Sequence, residues 1–290
     1  MSSSPPPGPD WMSGAGSNPE PPSGPGSSRP GSQASAPLSD PLVPPDLRGW
    51  VDRVIGVVRR SMVPLLTLQL GVAAIGAVLT YLMEAVLPEQ ADPAGMDGAG
   101  PGGFVAMLGL LVAFAVGMFA QGASVYVAIQ DAAGHEATAS EGLRFAATRA
   151  SGLIGWGLAA AALTAFGLLL IVPGIYLAIV FGAGLAGVVT VERAGIGRCF
   201  ELVNRRFWLT AGRIVPAAAV GAFYSAVVAP YLVAVLSTPK SLSAAALEAG
   251  LGVPLGMASV GVTVVTYAEL RFHERGDVLA ASLAAELAAR

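Results

Sequence analysis

The run 150–191 holds 42 residues and no charge, and it constrains this chain more than any other feature. A helix crosses a bilayer in roughly 20 apolar residues at 1.5 Å each, so the run is about two spans long. Pro173-Gly174 marks the place to fold it. Proline disfavours the helical conformation of the residue before it, and glycine tolerates the backbone angles of a turn. Four more uncharged blocks cover 61–83, 102–130, 214–239 and 249–268. The pattern predicts an all-α fold, a polytopic bundle of six transmembrane helices near 62–87, 103–130, 151–172, 174–192, 208–236 and 250–270. Composition agrees: 12% of the residues are charged, against roughly 25% in a soluble domain. Pro64 and Pro254 fall in first turns, where proline costs least, whereas Pro216 and Pro230 fall inside the fifth helix and predict kinks.

Residues 1–45 contain 13 Pro, 6 Gly and 11 Ser, too little apolar surface to offset the entropy of ordering. They read as a disordered tail, and the absence of a basic start and an apolar core argues against a signal peptide. The domain expected to fold is 46–280, with 281–290 as a C-terminal tail. Its first element is amphipathic. Leu47, Val51, Val54 and Val58 recur at helical spacing, Asp46 is a candidate N-cap, and arginines fill much of the remainder. Such a helix is expected in the membrane interface. The same spacing returns in Ala139, Leu143, Ala146 and Ala150, behind a Thr138–Glu141 capping-box pattern. It returns again in Ile196, Phe200, Val203 and Phe207. The chain therefore reads as three copies of one unit, an interfacial helix followed by a two-helix hairpin.

Charge placement gives an orientation. With the N-terminus inside, the arginines fall in the inner segments and the outer loops hold only Lys240, against Glu89, Asp92, Asp97 and Glu248. This positive-inside asymmetry predicts both termini in the cytoplasm of a plasma membrane. Fifteen of the 16 basic residues are arginine, and with the Ala and Gly excess this reads as a GC-rich bacterial genome. A net charge of −3 offers no nucleic-acid footprint, and the single Cys199 excludes a disulfide framework.

Few residues carry the grammar of chemistry. Gly182, Gly184 and Gly187 match a dinucleotide fingerprint in letters, but that motif needs a strand before it. Inside a span, Ala178 with Gly182 and Ala183 with Gly187 read as packing pairs. Gln121 and Ser124 lie deep in the second span. Gln121 is expected in a helix–helix hydrogen bond and Ser124 on its own helix backbone. A serine nucleophile would need a histidine at that depth, and His135 and His273 both fall at the inner side. Nor does any acid or base lie near the centre of a span, where proton relays would place one. No metal or cofactor set converges.

Val172-Pro173-Gly174-Ile175-Tyr176, then Val191-Glu192 with Gly195, then Leu202 with Phe207-Trp208, resembles a bacterial family of six-helix membrane proteins. That family is named for the membrane domain attached to some glycerophosphodiester phosphodiesterases. Tyr267, Glu269, Leu270, Arg271, Glu274 and Asp277 are similar to its terminal signature, and the likeness spans roughly 48–280. It implies a membrane module without hydrolase activity, since the catalytic barrel needs upward of about 200 further soluble residues. The expected function is a non-enzymatic membrane protein with a basic inner face that meets lipid head groups, anionic ones included, or a protein partner. Arg198, Arg205 and Arg206 are its candidate lipid-binding residues. The alternative is a permease for a lipidic or small neutral solute, with Gln121, Ser124, Tyr176 and Thr164 as pathway contacts.

Overall fold

A computed structural model of the protein describes residues 40–86, 101–238 and 241–289, so most of the Pro/Gly/Ser-rich tail and of the loop after the first span lies outside it. The described residues form helices and no strand. In chain order these are α1 (Leu47–Arg60), α2 (Met62–Val86), α3 (Pro101–Ala132), α4 (Ala139–Thr148), α5 (Ala150–Leu168) and α6 (Val172–Gly187). A π-helical turn, Val188–Glu192, extends α6. Then come α7 (Ile196–Asn204), α8 (Phe207–Phe223), a second π turn (Tyr224–Val228), α9 (Ala229–Leu236), α10 (Leu242–Arg275) and α11 (Ala280–Ala288). Six stretches are long and apolar enough to cross a membrane: Met62–Met83, Gly103–Ala132, Ala150–Leu168, Val172–Glu192, Phe207–Leu236 and Leu242–Arg275. The chain is thus an all-α, multi-pass bundle, with α6 and α10 at its centre. The order of a short amphipathic helix and then a hairpin occurs three times.

The corner between the third and fourth spans falls one turn earlier than the sequence suggests. The third span ends at Leu168 and α6 begins at Val172, with Pro173 in its first turn. The turn residue is Ile171, at φ 56° and ψ −68°, where the Val172 N–H donates to the Leu170 carbonyl at 2.6 Å. This is a γ-turn of the rare positive-φ kind, on a β-branched residue that disfavours it. Gly174 serves close approach instead: a Cβ there would lie 2.5 Å from the Leu168 backbone. Ile171→Gly should therefore stabilise the protein by about 1 kcal/mol, read as a rise in the midpoint of thermal unfolding in detergent.

The fifth span is interrupted at Pro230, whereas the α-helix Phe207–Phe223 runs unbroken through Pro216. Pro230 lacks an N–H and would crowd the carbonyl of Ala226 in an α-helix; the π turn Tyr224–Val228 widens the backbone just there.

The short amphipathic helices pack against the long ones. In α1 the buried residues are Trp50 and Val57; of the expected stripe, Val54 and Val58 pack against the core and Leu47 and Val51 are exposed. The helix packs along α10. Trp50 Nε1 donates to Thr266 Oγ1 at 3.1 Å, and a Cβ on Gly261 would sit 3.0 Å from the Val54 carbonyl. Two nearby expectations hold: Asp46 caps α1 by accepting from the Gly49 N–H, and Thr138 with Glu141 closes a capping box on α4. The Thr138 backbone and hydroxyl hold the Glu141 carboxyl below its ordinary pKa. Further along the chain, α7 folds back along α6. Phe200 meets Phe181 at 5.6 Å, and Cys199, Leu202 and Val203 are buried. Burial, then Glu192, pushes the Cys199 thiol up to about 12.

The domain also extends past both expected boundaries. Leu42 and Val43 are buried, and Asp40 accepts from Leu42 N, Val43 N and, with its other oxygen, Ala280 N. At the other end, Leu283, Ala284 and Leu287 bury one face of α11. The sequence of each piece is too short to show an amphipathic period, but together they close one end of the bundle.

Candidate functional site

That closed end gathers the charges. The π turn ends at Glu192, Arg193 follows in the left-handed region at φ 56°, and α7 begins after Gly195. A Cβ on Gly195 would fall 2.5 Å from the Trp156 ring, so only glycine lets the chain turn back here. The reversal sets Arg198 between three carboxylates. Its Nε donates to Glu192 at 2.7 Å and its Nη1 to Glu201 at 3.2 Å. Its two terminal nitrogens grip Glu274 of α10 in a bidentate fork, at 2.8 and 2.5 Å. These hydrogen bonds, the Glu274 pair foremost, raise the guanidinium pKa above its ordinary value.

A second arginine lies deeper. Arg271 is 1% exposed; its Nη1 lies 2.7 Å from Glu192 and donates to the Tyr267 hydroxyl at 3.0 Å, and its Nη2 donates to Glu286 of α11 at 2.8 Å. The Tyr267 O–H in turn donates to Glu192 at 3.0 Å. Arg205 reaches Glu274 at 3.7 Å and Arg275 reaches Glu286 at 3.8 Å, both more exposed. Four arginines (Arg198, Arg205, Arg271, Arg275) thus meet four glutamates (Glu192, Glu201, Glu274, Glu286). The network is balanced in charge and ties α6, α7, α10 and α11 together. Beside it, Arg213 of α8 pairs with the buried Glu269 of α10, which His273 approaches at 3.7 Å. Arg149, also buried, donates to the Thr190 carbonyl at 2.8 Å.

This placement corrects the reading of Arg198 as a lipid ligand, because its donors are spent on protein carboxylates. Arg205 and Arg206 remain exposed, on the turn between α7 and α8. Gln121 donates to Thr263 Oγ1 at 3.4 Å, the expected bond between spans. Tyr176 donates to Asn204 Oδ1 at 2.8 Å and stacks with Phe200. Ser124 is fully buried, and its hydroxyl finds no hydrogen-bond partner among the described residues, so the expected bond to its own helix is not made. Thr164 is half-buried in α5. The structure does not bring Gln121, Ser124, Tyr176 and Thr164 into one site. Of the small-residue pairs, only Ala183 with Gly187 is buried, the glycine against Tyr267; Ala178 and Gly182 face outward.

Sequence reasoning missed the network although Glu192, Arg271, Glu274 and Arg275 stood at span ends and the other members in or at the end of the short helices beside them. The available signal was the coincidence of Glu192, Glu274 and Glu286 with arginines in neighbouring turns. Comparison with protein-family models, curated proteins and solved structures finds no match to this chain.

Proposed function

We propose that this multi-pass protein is a non-enzymatic module of a bacterial plasma membrane, its charged end in the cytoplasm, where exposed arginines meet acidic lipid head groups. The observation that carries the reading is a division of labour among the arginines. Arg198 and Arg271 are neutralised within the bundle, while Arg59, Arg60, Arg144 and Arg206 stay exposed, and Arg205, 62% exposed, meets Glu274 only at the rim at 3.7 Å. A relation to the six-helix family named above belongs to the same proposal, supported by the Val172-Pro173-Gly174 corner and by Tyr267, Glu269 and Arg271. The permease reading gains less support, since Gln121 and Tyr176 are engaged in bonds between helices.

Each basic residue near an acidic leaflet contributes on the order of 1 kcal/mol. Changing Arg205 and Arg206 together to Gln should lower the acidic lipid that co-purifies, measured by lipid mass spectrometry, and cost less than about 1 kcal/mol of stability, since the Arg205–Glu274 pair is exposed. Equal lipid in the variant and the parent would remove the head-group reading. Orientation has its own measurement. A cysteine at Ser241 should be labelled from outside the cell and one at Arg144 should not, with the buried Cys199 left in place. The opposite pattern would invert the assignment.

A further inference from the structure

A groove of about 440 Å³ runs between α2 and α3, floored by Leu143 of α4 and Ile154 of α5. Its walls include Gly71 and Ile75 on one side and Val116 and Phe119 on the other. Thr67 brings the only side-chain polar atom to the lining, and that hydroxyl donates to the Val63 carbonyl at 2.9 Å. Whatever enters is therefore apolar. Both walls belong to membrane-crossing stretches whose neighbouring residues Leu70, Leu111 and Val112 are exposed, so the groove opens toward hydrocarbon. Left unfilled there, its walls would lose dispersion contacts with nothing in return.

Size selects the occupant. From Thr67 to Ile75 the wall is about 12 Å long, at 1.5 Å per residue. The volume divided by that length leaves a cross-section of about 37 Å², below the roughly 80 Å² of a helix about 10 Å across. A single extended hydrocarbon chain fits; a helix does not. The segments outside the described residues, 1–39 and 87–100, are rich in Pro, Gly and polar residues and offer no apolar strand of that length. At the floor the chemistry changes. Arg144 follows Leu143 on α4, and Arg59 stands at the α1–α2 junction, eight residues before Thr67.

We propose that this groove holds one acyl chain of an acidic phospholipid, its head group at the Arg59 and Arg144 end. The proposal rests on the head-group reading above, and it adds a defined seat for the chain. The wall is open at Gly71, where a Cβ would meet nothing within 4 Å and a large side chain would enter the seat.

The test uses the full chain in nanodiscs of equal parts phosphatidylcholine and phosphatidylglycerol. Each carries a trace of either lipid with a photoreactive diazirine in the acyl chain, and cross-linked peptides are identified by mass spectrometry. Phosphatidylglycerol label should concentrate on 67–75 and 115–120, above the background on the exposed fifth span. Gly71→Trp should abolish that excess, and Gly71→Ala should keep it. Val116→Trp, from the facing wall, repeats the block should Gly71→Trp fail to fold. Undiminished label in a folded blocking variant, or label spread evenly over all spans in the parent, overturns the groove while leaving the head-group reading intact. Changing Arg59 and Arg144 to Gln should erase the preference for phosphatidylglycerol over phosphatidylcholine within the groove. Equal labelling by both lipids in the parent overturns the acidic-lipid assignment, even where Gly71→Trp still blocks.

Discussion

Arg271→Met should destabilise the protein by about 3–5 kcal/mol, the usual consequence of removing one partner from a buried ion pair. The reason is what it leaves behind. Glu192 and Glu286 keep their charges and lose their most buried partner, and the Tyr267 hydroxyl, fully buried, loses a donor. Unfolding in detergent, followed by heat or denaturant, reads the loss. The variant Arg271→Met, Glu192→Gln, Glu286→Gln should recover part of it, because a neutral set needs no counter-charge. Arg275→Gln is the control: at 54% side-chain exposure and 3.8 Å from Glu286, it should cost less than about 1 kcal/mol. Equal losses for Arg271 and Arg275 would mean that the network does not hold this end closed.

The second large effect is expected at Gly187. A Cβ there would lie 2.4 Å from the Tyr267 ring, which is fully buried and held through its hydroxyl by Glu192 and Arg271. The ring has nowhere to go. Gly187→Ala should therefore cost about 1–3 kcal/mol through overpacking, and Gly187→Leu more. Gly182, five residues earlier on the same helix, has nothing within 4 Å of a Cβ. Gly182→Ala should be neutral, or stabilising by up to about 1 kcal/mol through helix propensity. Thermal midpoints of the two alanine variants, measured side by side, decide the point. Like values would place α6 and α10 farther apart than described.

The contrast between these glycines shows where sequence reading stops. Both sit in one uncharged run, and both belong to small-residue pairs at the same spacing. Length and hydropathy were enough to find the run, divide it, and count six spans. Local chemistry was enough for the Thr138–Glu141 box and the Asp46 cap, since donors and acceptors there are three residues apart. Which face of a helix meets a neighbour is a different kind of fact. In a bilayer, lipid and protein core are equally apolar, so hydrophobic periodicity does not point inward as it does in water. That is why the stripe read on α1 leaves out Trp50 and Val57, the two residues of that helix that the bundle buries. The ion network failed to show for another reason. An arginine beside a span end looks the same whether it meets a phosphate or a carboxylate, and the carboxylate that claims Arg198 lies 76 residues away.

That separation has a consequence in time. Ribosomes add roughly 5–20 residues per second, so Arg198 is made about 4–15 s before Glu274. For that interval Arg198 has only the nearby Glu192 and Glu201, and Glu192 waits as long for Arg271. The fourth span and α7 are made before Arg271 and Glu274 exist; the sixth span delivers both, and α11 follows with Glu286 for Arg271. The order of synthesis makes this end of the protein a late closure, with the earlier helices waiting as an unbalanced assembly for the helices that neutralise them.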